Sequence, residues 1–154
     1  MDRKMRRKDR ELTKEETIKI LKENTYGILS TIDKNCQPYG VPISYVFLND
    51  SIYFHCAGEG HKLDNILNNK RVSFCVVGQT SIVPDKFTTK YESVVIFGTA
   101  AEIIDDEKNE ALLEIIYKYS PNFIKEGKEY IEKAGKGTTV IKISIEHSSG
   151  KANK

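Results

Sequence analysis

Apolar residues recur along this chain in two periods, and the switching between them lays out a mainly β domain punctuated by helices. Thr13 and Glu16 stand at capping-box spacing, in which each side chain satisfies a backbone amide that a helix start leaves orphaned. Thr17, Ile18 and Leu21 then share one face, so the spacing predicts a short helix over about residues 13 to 24. Runs rich in β-branched and aromatic residues follow at 26 to 32, 39 to 48, 51 to 57 and 71 to 77. Asp33-Lys34-Asn35 and Asn49-Asp50 supply turn chemistry between them, and the runs read as an antiparallel meander. A helix over residues 61 to 69, marked by Leu63, Ile66 and Leu67, interrupts it.

The next run, 91 to 104, is apolar on both sides: Val94 and Ile96 alternate with Val95 and Phe97, so both faces should be covered. Asp105, Asp106 and Glu107 place negative charge where a helix dipole favours it, Leu112, Leu113, Ile116 and Tyr119 line one side of that helix, and Pro121 stops it. A second helical piece is predicted over 122 to 134, ending at Gly135, with a last strand over 138 to 145. No internal repeat or low-complexity tract interrupts this order. The pattern therefore predicts a single α+β domain whose mainly antiparallel sheet closes into a barrel, leaving no exposed edge.

Composition agrees with one ordinary core. A chain of 154 residues buries roughly 70% of its surface on folding, enough without metal or disulfide staples. Apolar residues make up 39% and charged residues 30%, within the soluble globular range. The net charge of +2 is too small for a nucleic-acid surface. Charge nevertheless crowds the start, where Arg3, Lys4, Arg6, Arg7, Lys8 and Arg10 face only Asp2 and Asp9. Residues 1 to 12 are thus set apart as a basic arm from a domain over 13 to 154. The arm reads either as a solvated segment lying on the domain or a partner subunit, or as a nucleic-acid or acidic-lipid arm; the first reading is adopted, so neither nucleic acid nor membrane is an expected partner. No run approaches the roughly 20 apolar residues of a membrane span and none has signal-peptide form, which predicts a cytoplasmic protein. Cys36, Cys56 and Cys75 are odd in number and widely spaced, pointing to free thiols in a reducing compartment rather than to disulfides or zinc.

Generic catalytic signatures are missing: the chain has no G-x-S-x-G, no phosphate-binding G-x-x-x-x-G-K-[ST], no H-E-x-x-H and no G-x-G-x-x-G after a strand. His55, His61 and His147 show no metal spacing. Three less common features remain. Pro42 sits inside a strand-like run, where its missing N–H is tolerated at an edge or bulge; either it marks a plain edge strand, or it frees backbone groups for a ligand. If Ile52, Phe54 and Cys56 pack inward, His55 faces a cleft or an interface, as a structural hydrogen-bonder or as a ligand contact. Gly58, Gly60, His61 and Lys62 then bring free amides and a cation to a helix start, a surface turn or a phosphate site, with Glu59 counting against the phosphate.

Taken together, the segments YGILSTID, PYGVPISYVF, IYFHCAGEGHKLDNI, RVSFCVV, YESVVIFGTA and ISIEHSSGK resemble, in order and spacing, the nitroimidazole-resistance-protein-like branch of the pyridoxamine 5'-phosphate oxidase-like flavoproteins. The likeness runs from about Arg6 to Lys151 and implies a split β-barrel with peripheral helices that binds FMN between two subunits of a homodimer. It implies that Pro42, Ile43, Ser44 and Tyr45 run along the isoalloxazine ring, and that His55, Cys56 and Ala57 contact the ribityl chain or ring edge. His61, Lys62 and Leu63 would hold the phosphate, while Tyr91, Ser93 and Val94 would approach from the other subunit. Position 56 departs from the pattern, since a small hydroxyl residue is usual there and Cys56 is a weaker donor.

The activity so implied is FMN-dependent transfer of electrons from NADH or NADPH to a small acceptor, with nitroaromatic compounds a candidate class. Proton delivery falls to His55 or solvent by elimination. No further cluster of Arg and His suits a second phosphate near the ring, which argues against oxidation of pyridoxamine 5'-phosphate itself. The alternative is a flavin- or haem-binding store or sensor without turnover.

Overall fold

A computed structural model describes residues 4–154, so Asp2 and Arg3 of the basic arm lie outside the described residues. Thr13 caps α1 (Lys14–Glu23): its hydroxyl accepts the Glu16 N–H at 3.2 Å, and the Glu16 carboxylate accepts the Thr13 N–H at 2.9 Å. The helix turns Thr17, Ile20 and Leu21 inward and leaves Ile18 half-buried.

Seven strands follow: β1 (Tyr26–Ile32), β2 (Pro38–Ser44), β3 (Val46–Leu48), β4 (Ser51–Cys56), β5 (Arg71–Val83), β6 (Thr88–Ile103) and β7 (Thr139–Asn153). They form one antiparallel sheet in the order β2-β1-β5-β6-β7-β4-β3. The run expected over 39 to 48 is thus two strands that lie at opposite ends of the sheet, joined by Tyr45 alone. The sheet must curl until its ends meet at that residue, which gives a mainly antiparallel split β-barrel with peripheral helices. The meander reading holds for the β1–β2 and β3–β4 pairs, but β1 and β4 take β5 and β7 as their other neighbours.

Local chemistry explains the joints. Asn49 and Asp50 both adopt positive φ, at 49° and 51°, as the two-residue link between Leu48 and Ser51 requires. Gly98 sits where β6 shifts register against β7, and a Cβ there would lie 2.2 Å from the Ser144 carbonyl oxygen, so only glycine admits so close a strand.

Two cores result. Inside the barrel, Leu29, Ile52, Phe54, Phe74, Ile96 and Ile143 pack with Ile20 and Leu21 of α1, and Leu63 and Ile66 of α2 (His61–Asn68) close the same core. On the outside, Val46, Tyr53, Ile103 and Val140 meet Ala111, Leu112 and Ile115 of α3 (Asp105–Tyr119). The buried stripe of α3 is therefore rotated from the one expected, because Ile116 packs instead against Gly127 of α4 (Ile124–Ala134). No helix among the described residues is long and apolar enough to cross a membrane.

Candidate functional site

Five strands turn one face away from the barrel interior. Pro42, Ile28, Cys75, Val95 and Ser149 stand in one row across β2, β1, β5, β6 and β7, and Gly40, Ser30, Ser73, Phe97 and His147 stand in the next. Paired residues in an antiparallel ladder project to the same side, so these rows form a continuous surface of small and apolar groups. It stays open in the single chain: Tyr26 is 58% exposed, Val77 49% and Phe97 48%. The sequence predicts cover for both faces of β6, whereas the structure covers only the inner one, with Val94 and Ile96 fully buried. A face this apolar and open is a candidate binding surface.

β2 borders it at the sheet edge. Pro42 has no N–H and cannot exchange hydrogen bonds with Ile28 opposite, so Gly40 and Ser44, which share its parity, direct their backbone groups to the free edge.

A cationic turn lies beside that edge. At the end of β4, His55 and Ala57 are exposed and Cys56 is half-buried. Gly60 follows at φ 137° and ψ 163°, with open space where a Cβ would stand, and no side chain caps α2. The Leu63 and Asp64 N–H groups both reach the Gly60 carbonyl, at 2.9 and 3.1 Å, which leaves the His61 and Lys62 amides without an intrahelical partner. His61 stacks on Tyr39 with ring centroids 4.1 Å apart, tying the start of α2 to β2. Free amides, a positive dipole end and the half-buried Lys62 together suit a phosphate. Burial pushes the Cys56 thiol up against the opposing charge of Lys62, and burial likewise raises Cys75, which disfavours the thiolate at both.

A family model for pyridoxamine 5'-phosphate oxidase matches residues 13–152. The chain belongs to the pyridoxamine 5'-phosphate oxidase family. Among solved structures it is similar to a candidate 5-nitroimidazole antibiotic resistance protein from Bacteroides thetaiotaomicron, at 24% identity over 94% of this chain and 90% of the other, with a TM-score of 0.78. A FAD-binding protein from Mesorhizobium loti is 25% identical over 94% and 98% of the two chains, with a TM-score of 0.68. The FAD and heme binding protein from Mycobacterium smegmatis is 18% identical over 92% and 72%, with a TM-score of 0.81. Comparison with curated proteins finds no match.

Within this oxidase-family chain the residues singled out by sequence fall into three sets. Pro42 and Ser44 lie exposed on the open face, and His55, Cys56, Ala57, His61 and Lys62 gather at the turn. Tyr91 and Ser93 lie half-buried on the same face but at its opposite side. Pro42 and Val95 are three strand spacings apart, roughly 14 Å, so one chain does not bring the third set to the first two. The remaining side chains point elsewhere. Ile43 packs on the barrel core, Leu63 and Val94 lie within it, and Tyr45 is fully buried with its hydroxyl donating to the Leu21 carbonyl at 2.7 Å. The side chains of these four therefore face the core, Ile43, Leu63 and Val94 through the alternation of their strand or helix face and Tyr45 at the bend between β2 and β3, which leaves their backbone for the contacts that the resemblance implies.

Sequence reading missed the groups that hold the bend. Lys118 Nζ donates to the Asn24 and Tyr45 carbonyls at 2.5 and 3.0 Å and lies 4.2 Å from the Tyr45 ring centroid. The Tyr119 hydroxyl accepts the Tyr45 N–H at 2.9 Å and contacts the Thr25 carbonyl. One signal was available: Ala111, Ile115 and Lys118 share a helical face, and a lysine in a buried stripe needs acceptors.

Proposed function

We propose that the protein is a homodimeric FMN-binding oxidoreductase that takes electrons from NADH or NADPH and passes them to a small acceptor, nitroaromatic compounds being the candidate class. The observation that carries this reading is the contact of an uncapped, Lys62-bearing helix start with β2, the strand whose free edge borders a face of small and apolar groups.

The residues present fit FMN. Lys62 and the His61 and Lys62 amides would hold the phosphate, His55 and Cys56 would line the ribityl chain, and the free backbone groups of Gly40 and Ser44 would meet the ring edge. Ile28 and Cys75 offer the ring a flat floor. The distance from Pro42 to the far side of the face supports a dimer, since Tyr91 and Ser93 reach a ring on β2 only from a second copy. Bound FMN would supply hydride and electron transfer, while the chain supplies binding and orientation. Proton delivery falls to the exposed His55 or to solvent.

A visible absorption spectrum and an FMN titration test the binding, and NAD(P)H consumption with and without a nitroaromatic acceptor tests the chemistry. FMN-loaded protein should consume NAD(P)H faster when acceptor is present; a rate that never responds rejects the reductase. Lys62→Ala should weaken FMN by about 1.5–3 kcal/mol, the worth of a charged hydrogen bond, and unchanged affinity would move the phosphate elsewhere. The second reading is a flavin- or haem-binding protein without turnover, favoured by the relative described as binding FAD and heme. Tight flavin or haem binding with no acceptor-dependent rate would establish it.

A further inference from the structure

The basic N-terminal segment has no task in the reduction, yet its described part folds back onto β7. Its single turn, Lys8–Arg10, is closed by the Arg10 N–H on the Arg7 carbonyl at 3.0 Å and the Glu11 N–H on the Lys8 carbonyl at 3.2 Å. Glu11 then forms a β-bridge with Lys151, and the Leu12 N–H reaches the Gly150 carbonyl at 3.0 Å. These contacts bring Arg10 beside Tyr91, at the side of the open sheet face where β7 pairs Lys151 with Ser93.

The cations here differ in how their charge is met. Arg7 grips Asp9 with two hydrogen bonds of 2.8 and 2.5 Å, and Lys154 pairs with Glu16 at 2.8 Å. Arg10 and Lys151, both half-buried, make no ion pair within 4.0 Å among the described residues, and Arg10 meets Asp9 only at longer range, behind the Arg7 pair. Both act instead on Tyr91: Lys151 Nζ lies 5.7 Å from its ring centroid, and the two cations hold its hydroxyl below the ordinary phenol range. The acidic groups around them are Asp9 and Glu16, engaged as above, Glu92, which accepts the Gln79 N–H at 3.3 Å, and the exposed Glu11. Two like charges on a half-buried surface repel, and an anion between them offsets that cost. A guanidinium fork, an ammonium and a phenol O–H form a donor set suited to an anion with several oxygens.

We propose that Arg10, Lys151 and Tyr91 form an oxyanion site, assembled when the arm docks on β7, that takes the phosphate group of a small molecule approaching the open sheet face. Two sources share this chemistry: the phosphate of a flavin held by a facing copy, and a phosphate of a pyridine dinucleotide. The site itself does not require the flavin reading, although both lie on one face.

Inorganic phosphate, titrated into the full chain at constant ionic strength with chloride as control, is the first probe. Phosphate seated there offsets the two cations, so one phenol titration, followed by phenolate absorbance, should move to higher pH, and Tyr91→Phe should abolish that response. Arg10→Gln and Lys151→Gln should each weaken phosphate by about tenfold, with circular dichroism confirming the fold. Should either glutamine variant misfold, Tyr91→Phe carries the same test. A wild type without the shift, or both glutamine variants with the shift unaltered, overturns the site. The source is read from FMN, riboflavin and NADPH titrations of Arg10→Gln: lost affinity for FMN but not riboflavin assigns the flavin phosphate, and lost affinity for the dinucleotide alone assigns the second ligand. Unchanged affinity for all three overturns the assignment to these ligands. Wild-type protein that binds phosphate but not FMN would remove the flavin reading and leave this site standing.

Discussion

Replacing Tyr119 with Phe deletes one oxygen from the bend that closes the barrel, and the structure sets the size of the loss. That oxygen accepts the Tyr45 N–H at 2.9 Å and lies 2.8 Å from the Tyr45 carbonyl. Tyr45 is 0% exposed and is the only residue between β2 and β3, so its amide has no ladder partner to fall back on. A hydrogen bond exchanged for water costs about 1 kcal/mol, whereas a buried donor left unpaired costs about 1–3 kcal/mol. The phenyl ring keeps the packing of Tyr119, so no cavity adds to this. The expected loss is about 2 kcal/mol, or about 4–8 °C in Tm for a chain of this size. Urea denaturation of wild type and Tyr119→Phe measures it, with equal m-values showing that the same surface is exposed in both. A difference under about 0.5 kcal/mol would refute the reasoning, since the Tyr45 amide would then have found another partner. Because the same bend leads out of Ser44, FMN affinity should fall together with stability.

Other parts of the molecule make independent predictions. Gly98→Ala sets a methyl 2.2 Å from the Ser144 carbonyl oxygen, and calorimetry should show a loss of about 3 kcal/mol or more; a Tm within a degree or so of wild type would mean that β7 moves away freely. Burial lowers Lys118 from 10.5 to about 8, so between those values the unfolded chain binds the proton that the folded chain has released, and this group's contribution to stability rises with pH. The raised thiols of Cys56 and Cys75 slope the opposite way, so the check is wild type against Lys118→Met in urea at several pH values: the wild type should gain relative to the variant as pH rises through that window, and parallel curves would contradict it. Val95→Glu puts a charge in the middle of the open face; light scattering should find monomers that no longer bind FMN, and an intact flavin-bound dimer would place the interface elsewhere.

Much of this architecture was legible in the sequence because apolar period and turn chemistry agreed. The Thr13–Glu16 box, the Asn49-Asp50 link and the start of α2 all fall where the residues place them. Strand ends were less legible where pairing outlasts the hydrophobic pattern. β5 continues past Gly78 with mostly exposed residues, and β7 continues past Ile145 by burying Gly150 and Ala152, too small to register as apolar signal. The break at Tyr45 was invisible for a different reason: its amide and carbonyl are held by Tyr119 and Lys118, some 74 positions away in sequence. In the candidate site, Pro42 and Lys62 announced themselves through a missing donor and a helix start. Tyr45, Leu63 and Val94 entered through the family resemblance alone, and the side chains of all three face the core.

The position of β7 bears on how the molecule is made. It follows every other strand of the sheet in sequence, yet it lies between β6 and β4 and pairs with both. Until it is synthesised, the two strands it will join present bare edges, the template on which nascent chains pair wrongly. Final assembly waits on this late strand inserting between partners made well before it, a non-local step of the kind that folds slowly. Shortening β7 should therefore lower the yield of folded protein far more than it alters the few molecules that do mature.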